Sequence, residues 1–261
     1  MAAAIGSTGR NRRSQAMNGT GYAELRAAEG ARLNEIAAEA ERSPYMWARR
    51  VPSCGDWTLE ALIEHCATVW TFVRSSITAG TRVDPAAITR PPGSVSQWHA
   101  DAFEALTGLM TGRAPDAETW SWDPEQQSMS FWWRRMAHES TMHRWDAEAA
   151  LGITPAPIAP ELAVDGVNEL FDVYVRLRLP DGFAGNGETV HLHATDADGE
   201  WVITRTPDGM QVERAHAKSD VAARGPAQDL LLFVWGRIGP EQLETFGRTD
   251  LLDEWQRDVR F

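Results

Sequence analysis

His138-Glu139-Ser140-Thr141-Met142-His143 is the stretch of this chain densest in groups that bind metal ions or move protons. It misses the HExxH zinc pattern by one residue, because the second histidine comes late. An α-helix turns by about 100° per residue, which sets His138 and His143 about 140° apart, too far round to share an ion. Glu139 and His143 are four residues apart, with Cβ atoms about 5–6 Å from each other, so both can reach one divalent ion. Two ligands on one helix need a third from elsewhere. His65, in the middle of an apolar helical run, is the candidate, since bundles build metal sites from inward side chains of facing helices. Two histidines and one glutamate leave a coordination position open, as in catalytic rather than structural zinc. Asp146, three residues beyond His143, could orient a ligand or contact a substrate. Spacing alone equally allows a hydrogen-bonded core histidine at 65 and a surface ion pair at 139 and 143.

Other reactive side chains offer less. Cys54 and Cys66 are the only cysteines. Cys66 follows His65, but adjacent helical residues do not face each other, and free cysteines usually pack as inert apolar groups. Ser140 and Thr141 lie beside His143 with no third member for a triad. His191 and His193 alternate on an expected strand and so share a face. They could form a second metal pair, but with no third ligand in view they read as ordinary strand residues. Trp132, Trp133 and Trp145 flank the expected metal helix, as core or as pocket wall.

The elements that must position these groups change character midway. Helices are expected over 22–42 (with Leu25, Ala28, Leu33, Ile36 and Ala40 as an apolar stripe), from a cap at Asp56 or Thr58 through Val73, over 95–111, and over 129–151 with Gly152 as C-cap. Together they suggest a four-helix bundle. The proline-rich stretch 153–160 interrupts regular structure and is read as a linker between domains covering 22–152 and 161–261. Beyond it come an expected helix over 160–178 and strands over 189–195, 200–206, 210–215 and 219–223, with Asp-Gly turns at 198–199 and 208–209. A helix over 226–235 with Pro226 in its first turn, a strand near 241–246 and a helix over 250–259 complete an α+β domain. Residues 1–21 read as a disordered extension.

The 261 residues carry a net charge of −12, which argues against nucleic acid as a partner. The chain has neither an apolar run of about 20 residues for a membrane span nor a signal-peptide core. Two cysteines make no disulfide framework, so a cytoplasmic location is expected.

Arg135 to Glu148 (RMAHESTMHRWDAE) resembles the second metal-ligand helix of the mycothiol-dependent maleylpyruvate isomerase family, and Trp57 to His65 (WTLEALIEH) resembles its first. His191-Leu-His-Ala-Thr-Asp196, Gly199-Glu-Trp201 and Asp229 to Arg237 (DLLLFVWGR) resemble its second domain. The resemblance covers about residues 22–261 and implies a two-domain α+β fold. Its N-terminal part would be a DinB-like four-helix bundle, and its C-terminal part a domain similar to sterol carrier protein 2 with a mostly antiparallel sheet. It implies a divalent metal of the zinc type on His65, Glu139 and His143, with mycothiol as cofactor. It also implies an arginine from the second domain in the active site, mapped to Arg237, with Arg224 as the weaker candidate. The expected activity is a thiol-dependent isomerase or S-transferase acting on a small electrophile, which a cationic arginine would suit to an anionic one. A non-catalytic metal-containing protein that binds a ligand or a partner is the alternative.

Overall fold

The computed structural model describes residues 19–178 and 185–258. Four long helices form the N-terminal bundle: α1 (Gly19–Arg42), α2 (Leu59–Ala79), α3 (Val95–Thr111) and α4 (Met129–Leu151). α1 packs chiefly on α4 and α2 on α3. Thr58, rather than Asp56, caps α2 by accepting a hydrogen bond from the Ala61 amide at 3.3 Å. Gly152 ends α4 in the left-handed conformation, with φ 73°. The expected extension over 1–21 is cut short, because Gly19 is already helical; residues 1–18 lie outside the described residues.

The apolar stripe of α1 differs from expectation at its start. Ala28 is exposed and Leu25 only half-buried, while Arg26 and Gly30 face inward. The cause is Phe103 on α3, whose ring lies so close to Gly30 that a Cβ there would stand 2.0 Å from it. The Arg26 guanidinium covers the same ring at 4.6 Å and donates to Thr107 Oγ1 at 2.7 Å.

The second domain has its own core. α5 (Pro160–Glu169) continues as a π-helical segment, Leu170–Val175, and a last α-turn, Arg176–Arg178, so the expected helix over 160–178 changes its winding midway. Five strands follow: β1 (Thr189–Ala194), β2 (Glu200–Thr206), β3 (Gly209–Glu213), β4 (Val221–Gly225) and β5 (Glu244–Gly247). Their order is β3-β2-β1-β4-β5, with β1 and β4 parallel and the other pairs antiparallel. α6 (Ala227–Val234) packs on α5, β1 and β4, and α7 (Asp250–Asp258) on α6. Pro226 sits at the N-cap of α6, not in its first turn; residue 259 of the expected last helix lies outside the described residues. Val190, Leu192, Ala194, Trp201, Ile203, Val221 and Ala223 turn one sheet face to this core. Among the described residues no helix is long and apolar enough to cross a membrane.

The two domains are clamped along α4. Seventeen of its residues are buried, because the bundle packs on one side and the second domain on the other. Asp165 on α5 accepts from Tyr22 at 2.6 Å and from Arg134 at 2.9 and 3.0 Å, and lies 2.7 Å from His138 Nε2. Gly166 makes the approach possible: a Cβ there would stand 2.8 Å from Leu231 and 3.2 Å from His138. The proline-rich connection is pinned as well, with Arg144 donating to the Ala156 carbonyl at 2.6 Å and Glu148 accepting from the Ala156 amide at 2.9 Å. Ile158, inside the expected linker, is buried in the second core.

His99 gives this fold an acid limit. It is fully buried against Trp70, with Nδ1 2.6 Å from Asn34 Oδ1. Burial, and then the neighbouring Arg26 charge, push its imidazole down to about 3. A histidine held neutral in the fold stabilises it fully above the unfolded pKa near 6.5, and that contribution is lost as pH falls toward 3. At pH 5 the loss is about 2 kcal/mol. Urea unfolding of His99→Gln should therefore show a shallower decline in stability from pH 7 to pH 5 than the parent; equal declines would place the acid sensitivity elsewhere.

Candidate functional site

α2 and α4 bring together residues 74 and 78 positions apart. His65 Nε2 and His143 Nε2 each lie 3.2 Å from Glu139 Oε1, and their rings stand 4.9 Å apart at 79°. One donor atom from each residue falls within 4.8 Å of the other two. Ligands about 2.0–2.1 Å from a tetrahedral zinc ion are separated by about 3.3–3.4 Å. The donor set therefore fits one ion of that size in both spacing and chemistry.

The surroundings orient two of these donors. Asp146, fully buried, lies 3.0 Å from His143 Nδ1 and places a hydrogen there. That leaves the Nε2 lone pair for an ion, the arrangement typical of a histidine ligand backed by a carboxylate. The other face of Glu139 is held by Arg135, which donates to Oε2 at 2.7 Å. Arg135 is 3% exposed, ion-paired with Glu169, and its guanidinium lies 5.2 Å over the Tyr174 ring. The π-helical segment carries Tyr174 to this position; such segments often occur at functional sites.

The charges are strongly coupled. Burial alone would raise the Glu139 carboxyl, but His143, His65 and Arg135 hold it well below the usual carboxylate range. Burial alone would lower the His143 imidazole, but Glu139 and Asp146 push it up to about 9. Without an ion, the two carboxylates therefore favour the protonated imidazole. A metal ion must displace that proton.

The three donors line a cavity of about 910 Å³ together with Trp57, Trp122, Tyr174 and Trp235. Arg237, from the loop after α6, lines it too. It donates to Asp146 through Nε at 3.2 Å and Nη2 at 2.9 Å, and to the Trp235 carbonyl at 2.8 Å. Ser53 donates to the same carboxylate at 2.9 Å, and Cys54 Sγ lies 3.7 Å from it. Burial first, then Asp146, push the Cys54 thiol up to about 11. Burial raises that of Cys66 well above its ordinary value.

Other candidate residues do not join the three donors. His138 turns to Asp165 and away from the three donors. Ser140 spends its hydroxyl on the Met136 carbonyl, 2.8 Å away in its own helix. Arg224 is exposed on β4 beside Glu244. Trp132 and Trp133 are buried in the bundle core, and Trp145 packs on the second core. His191 and His193, which showed no third partner in the sequence, have Glu200 and His216 beside them, with donor atoms within 4.8 Å of one another. Sequence reasoning also passed over Arg135 and Ser53. Arg135, four residues before Glu139, carried a legible helical signal. Ser53 carried none.

Two family models together match most of the chain: "Mycothiol maleylpyruvate isomerase N-terminal domain" over residues 26–148, and "MDMPI C-terminal domain" over residues 161–254. Crystal structures of the mycothiol-dependent maleylpyruvate isomerase and of a single-substitution mutant of it share the fold. TM-scores are 0.63 and 0.64, at 12% identity, covering 95% of this chain and 99% of theirs. No curated protein matches the chain in sequence.

The raised His143 pKa has a measurable consequence. Because an ion competes with its proton, zinc affinity should rise about tenfold per pH unit between pH 7 and about 9. Calorimetry in buffers of different ionisation enthalpy should show about one proton released per ion bound here at pH 7. An affinity flat across this range would contradict the assignment of His143 as a ligand.

Proposed function

The chain belongs to the mycothiol-dependent maleylpyruvate isomerase family, and from that premise we propose that it is a metal- and thiol-dependent isomerase of a small, conjugated, anionic electrophile. The observation that supports this most is the convergence of His65, Glu139 and His143 in a cavity that also contains Arg237. A divalent ion and a low-molecular-weight thiol such as mycothiol, when bound, supply Lewis acidity and a thiolate whose reversible addition to a conjugated double bond lets that bond rotate.

The chain's own residues set the conditions for this chemistry. Asp146 holds the hydrogen of His143 on Nδ1, leaving Nε2 for an ion, and Arg135 fixes Glu139 through its other oxygen. Arg237 offers a permanent cation for a substrate carboxylate and for enolate charge as it develops. Asp146 holds that guanidinium in place and offsets part of its charge. Trp57, Trp122, Tyr174 and Trp235 give the cavity aromatic walls, which favour a flat conjugated substrate and limit water around the reacting carbons.

Burial and the Asp146 charge disfavour a thiolate at Cys54, which supports a sulfur nucleophile from outside the chain. The same site could stop after addition, as an S-transferase, and product analysis separates the two outcomes: an isomerase returns the thiol and yields only the geometric isomer.

Purified zinc-loaded protein should isomerise maleylpyruvate or a similar cis-configured conjugated acid only when mycothiol or an analogue is present, with one NMR-resolved isomer as product. His143→Ala should abolish turnover. Arg237→Ala should keep its metal and lose about 10²–10³-fold in kcat/KM. Cys54→Ser should stay within about threefold of the parent, since no covalent step is assigned to it. Thiol-independent turnover, or its loss in Cys54→Ser, would contradict this reading.

A further inference from the structure

A second group of metal-binding side chains stands on the sheet of the C-terminal domain, away from the cavity. His191 and His193 on β1, Glu200 on β2 and His216 in the connection from β3 to β4 each offer a donor atom, and these four atoms lie within 4.8 Å of one another. None of the four lines the cavity that holds His65, Glu139 and His143. We propose that these four residues bind one divalent transition-metal ion, of the zinc class, which fastens the β3–β4 connection to the face of the sheet.

The placement follows from strand geometry. Alternation along β1 sends Val190, Leu192 and Ala194 into the core, so His191 and His193 emerge together on the opposite face. The antiparallel register sets Glu200 directly across from His193, and directly opposed residues of paired strands have Cβ atoms about 4.5–5.5 Å apart. The sheet order obliges the chain from β3 to pass β2 and β1 before it reaches β4, and this passage carries His216 to the group. The His216 ring stands 5.2 Å from that of His191 and 6.5 Å from that of His193.

The contacts are those of ligands drawn toward one point. His191 Nε2, His193 Nδ1 and His216 Nδ1 approach the same oxygen, Glu200 Oε1, at 2.9, 2.8 and 2.5 Å. A carboxylate oxygen has about two lone pairs, so three imidazole donors exceed its capacity. An ion between the four side chains relieves the crowding, because each nitrogen then donates its lone pair to the metal. Three imidazoles and one carboxylate suit zinc, cobalt, nickel or copper and are too nitrogen-rich for calcium or magnesium. Four protein ligands leave no open position on a tetrahedral ion, which marks a structural site. His191 is 7% exposed while the His216 side chain is 78% exposed, so the ion would join a fixed strand residue to a surface segment.

The two sites are separable by stoichiometry. The full chain, stripped with chelator and titrated with Zn²⁺, should bind two equivalents. His193→Ala combined with His216→Ala should bind one, with the surviving ion unaffected. His143→Ala should also bind one, held by the sheet site. His216→Ala alone, altering an exposed side chain, should keep its circular dichroism spectrum and weaken the sheet site by roughly 100-fold. In the His143→Ala protein, Zn²⁺ should slow amide hydrogen exchange in residues 214–220 and Mg²⁺ should not. Unchanged zinc stoichiometry after loss of both His193 and His216 would overturn the proposal, as would exchange in 214–220 that ignores zinc. A single equivalent lost in His143→Ala and kept in the double variant would also overturn it. A single equivalent kept in His143→Ala and lost in the double variant would support the sheet site and count against the cavity site.

Discussion

One buried carboxylate holds the cavity together. Asp146 accepts from Ser53 in the loop before α2 and from Arg237 in the second domain, and it orients His143 in its own helix. An ionised group without water requires partners of this kind, because an unpaired charge costs several kcal/mol in such a place. Burial opposes its ionisation, and the Arg237 and His143 charges overcome that, holding it well below the ordinary range. The same contacts that keep Asp146 charged hold a hydrogen on His143 Nδ1 and fix the second domain's arginine at the cavity wall. Folding, domain docking and ligand geometry are thus satisfied by one set of hydrogen bonds.

A similar economy governs the far side of the donor group. Arg135 is enclosed by Glu139, Glu169 and the faces of Tyr174 and Trp235. Glu169 closes α5 and Tyr174 lies on the π-helical turn that follows. The orientation of Glu139, on the bundle, therefore depends on residues of the second domain. α4 can be polar along much of its length and still buried because both domains supply partners to it. Its low amphipathicity is the sequence trace of a helix with no solvent face.

Much of this was legible in the sequence, and the reasons differ by residue. Helical spacing is enough to pair Glu139 with His143 and to separate His138 from both, because 3.6-residue periodicity holds along α4. α3 and α4 span the residues expected of them, and Gly152 closes α4 as its C-cap. The convergence of His65 is a tertiary matter that spacing only permitted, and the family resemblance carried it. Ala28 left its expected place in the stripe and Arg26 turned inward because the Phe103 ring takes the space at Gly30, a contact between distant helices. His191 and His193 looked incomplete for the same kind of reason. The hairpin register could have set Glu200 opposite His193, but the approach of His216 depends on the order of strands in the sheet, which local pattern does not encode.

On the proposed reading, His65, Glu139 and His143 hold an ion with a coordination position left for sulfur. Cobalt substitution reads that directly, and doing it in the His193→Ala, His216→Ala background confines the signal to this site. Adding a low-molecular-weight thiol should produce a near-ultraviolet sulfur-to-cobalt charge-transfer band that saturates at one thiol per ion and is missing when His143 is also replaced by Ala. A cobalt spectrum indifferent to thiol, or a charge-transfer band that survives loss of His143, would contradict the account.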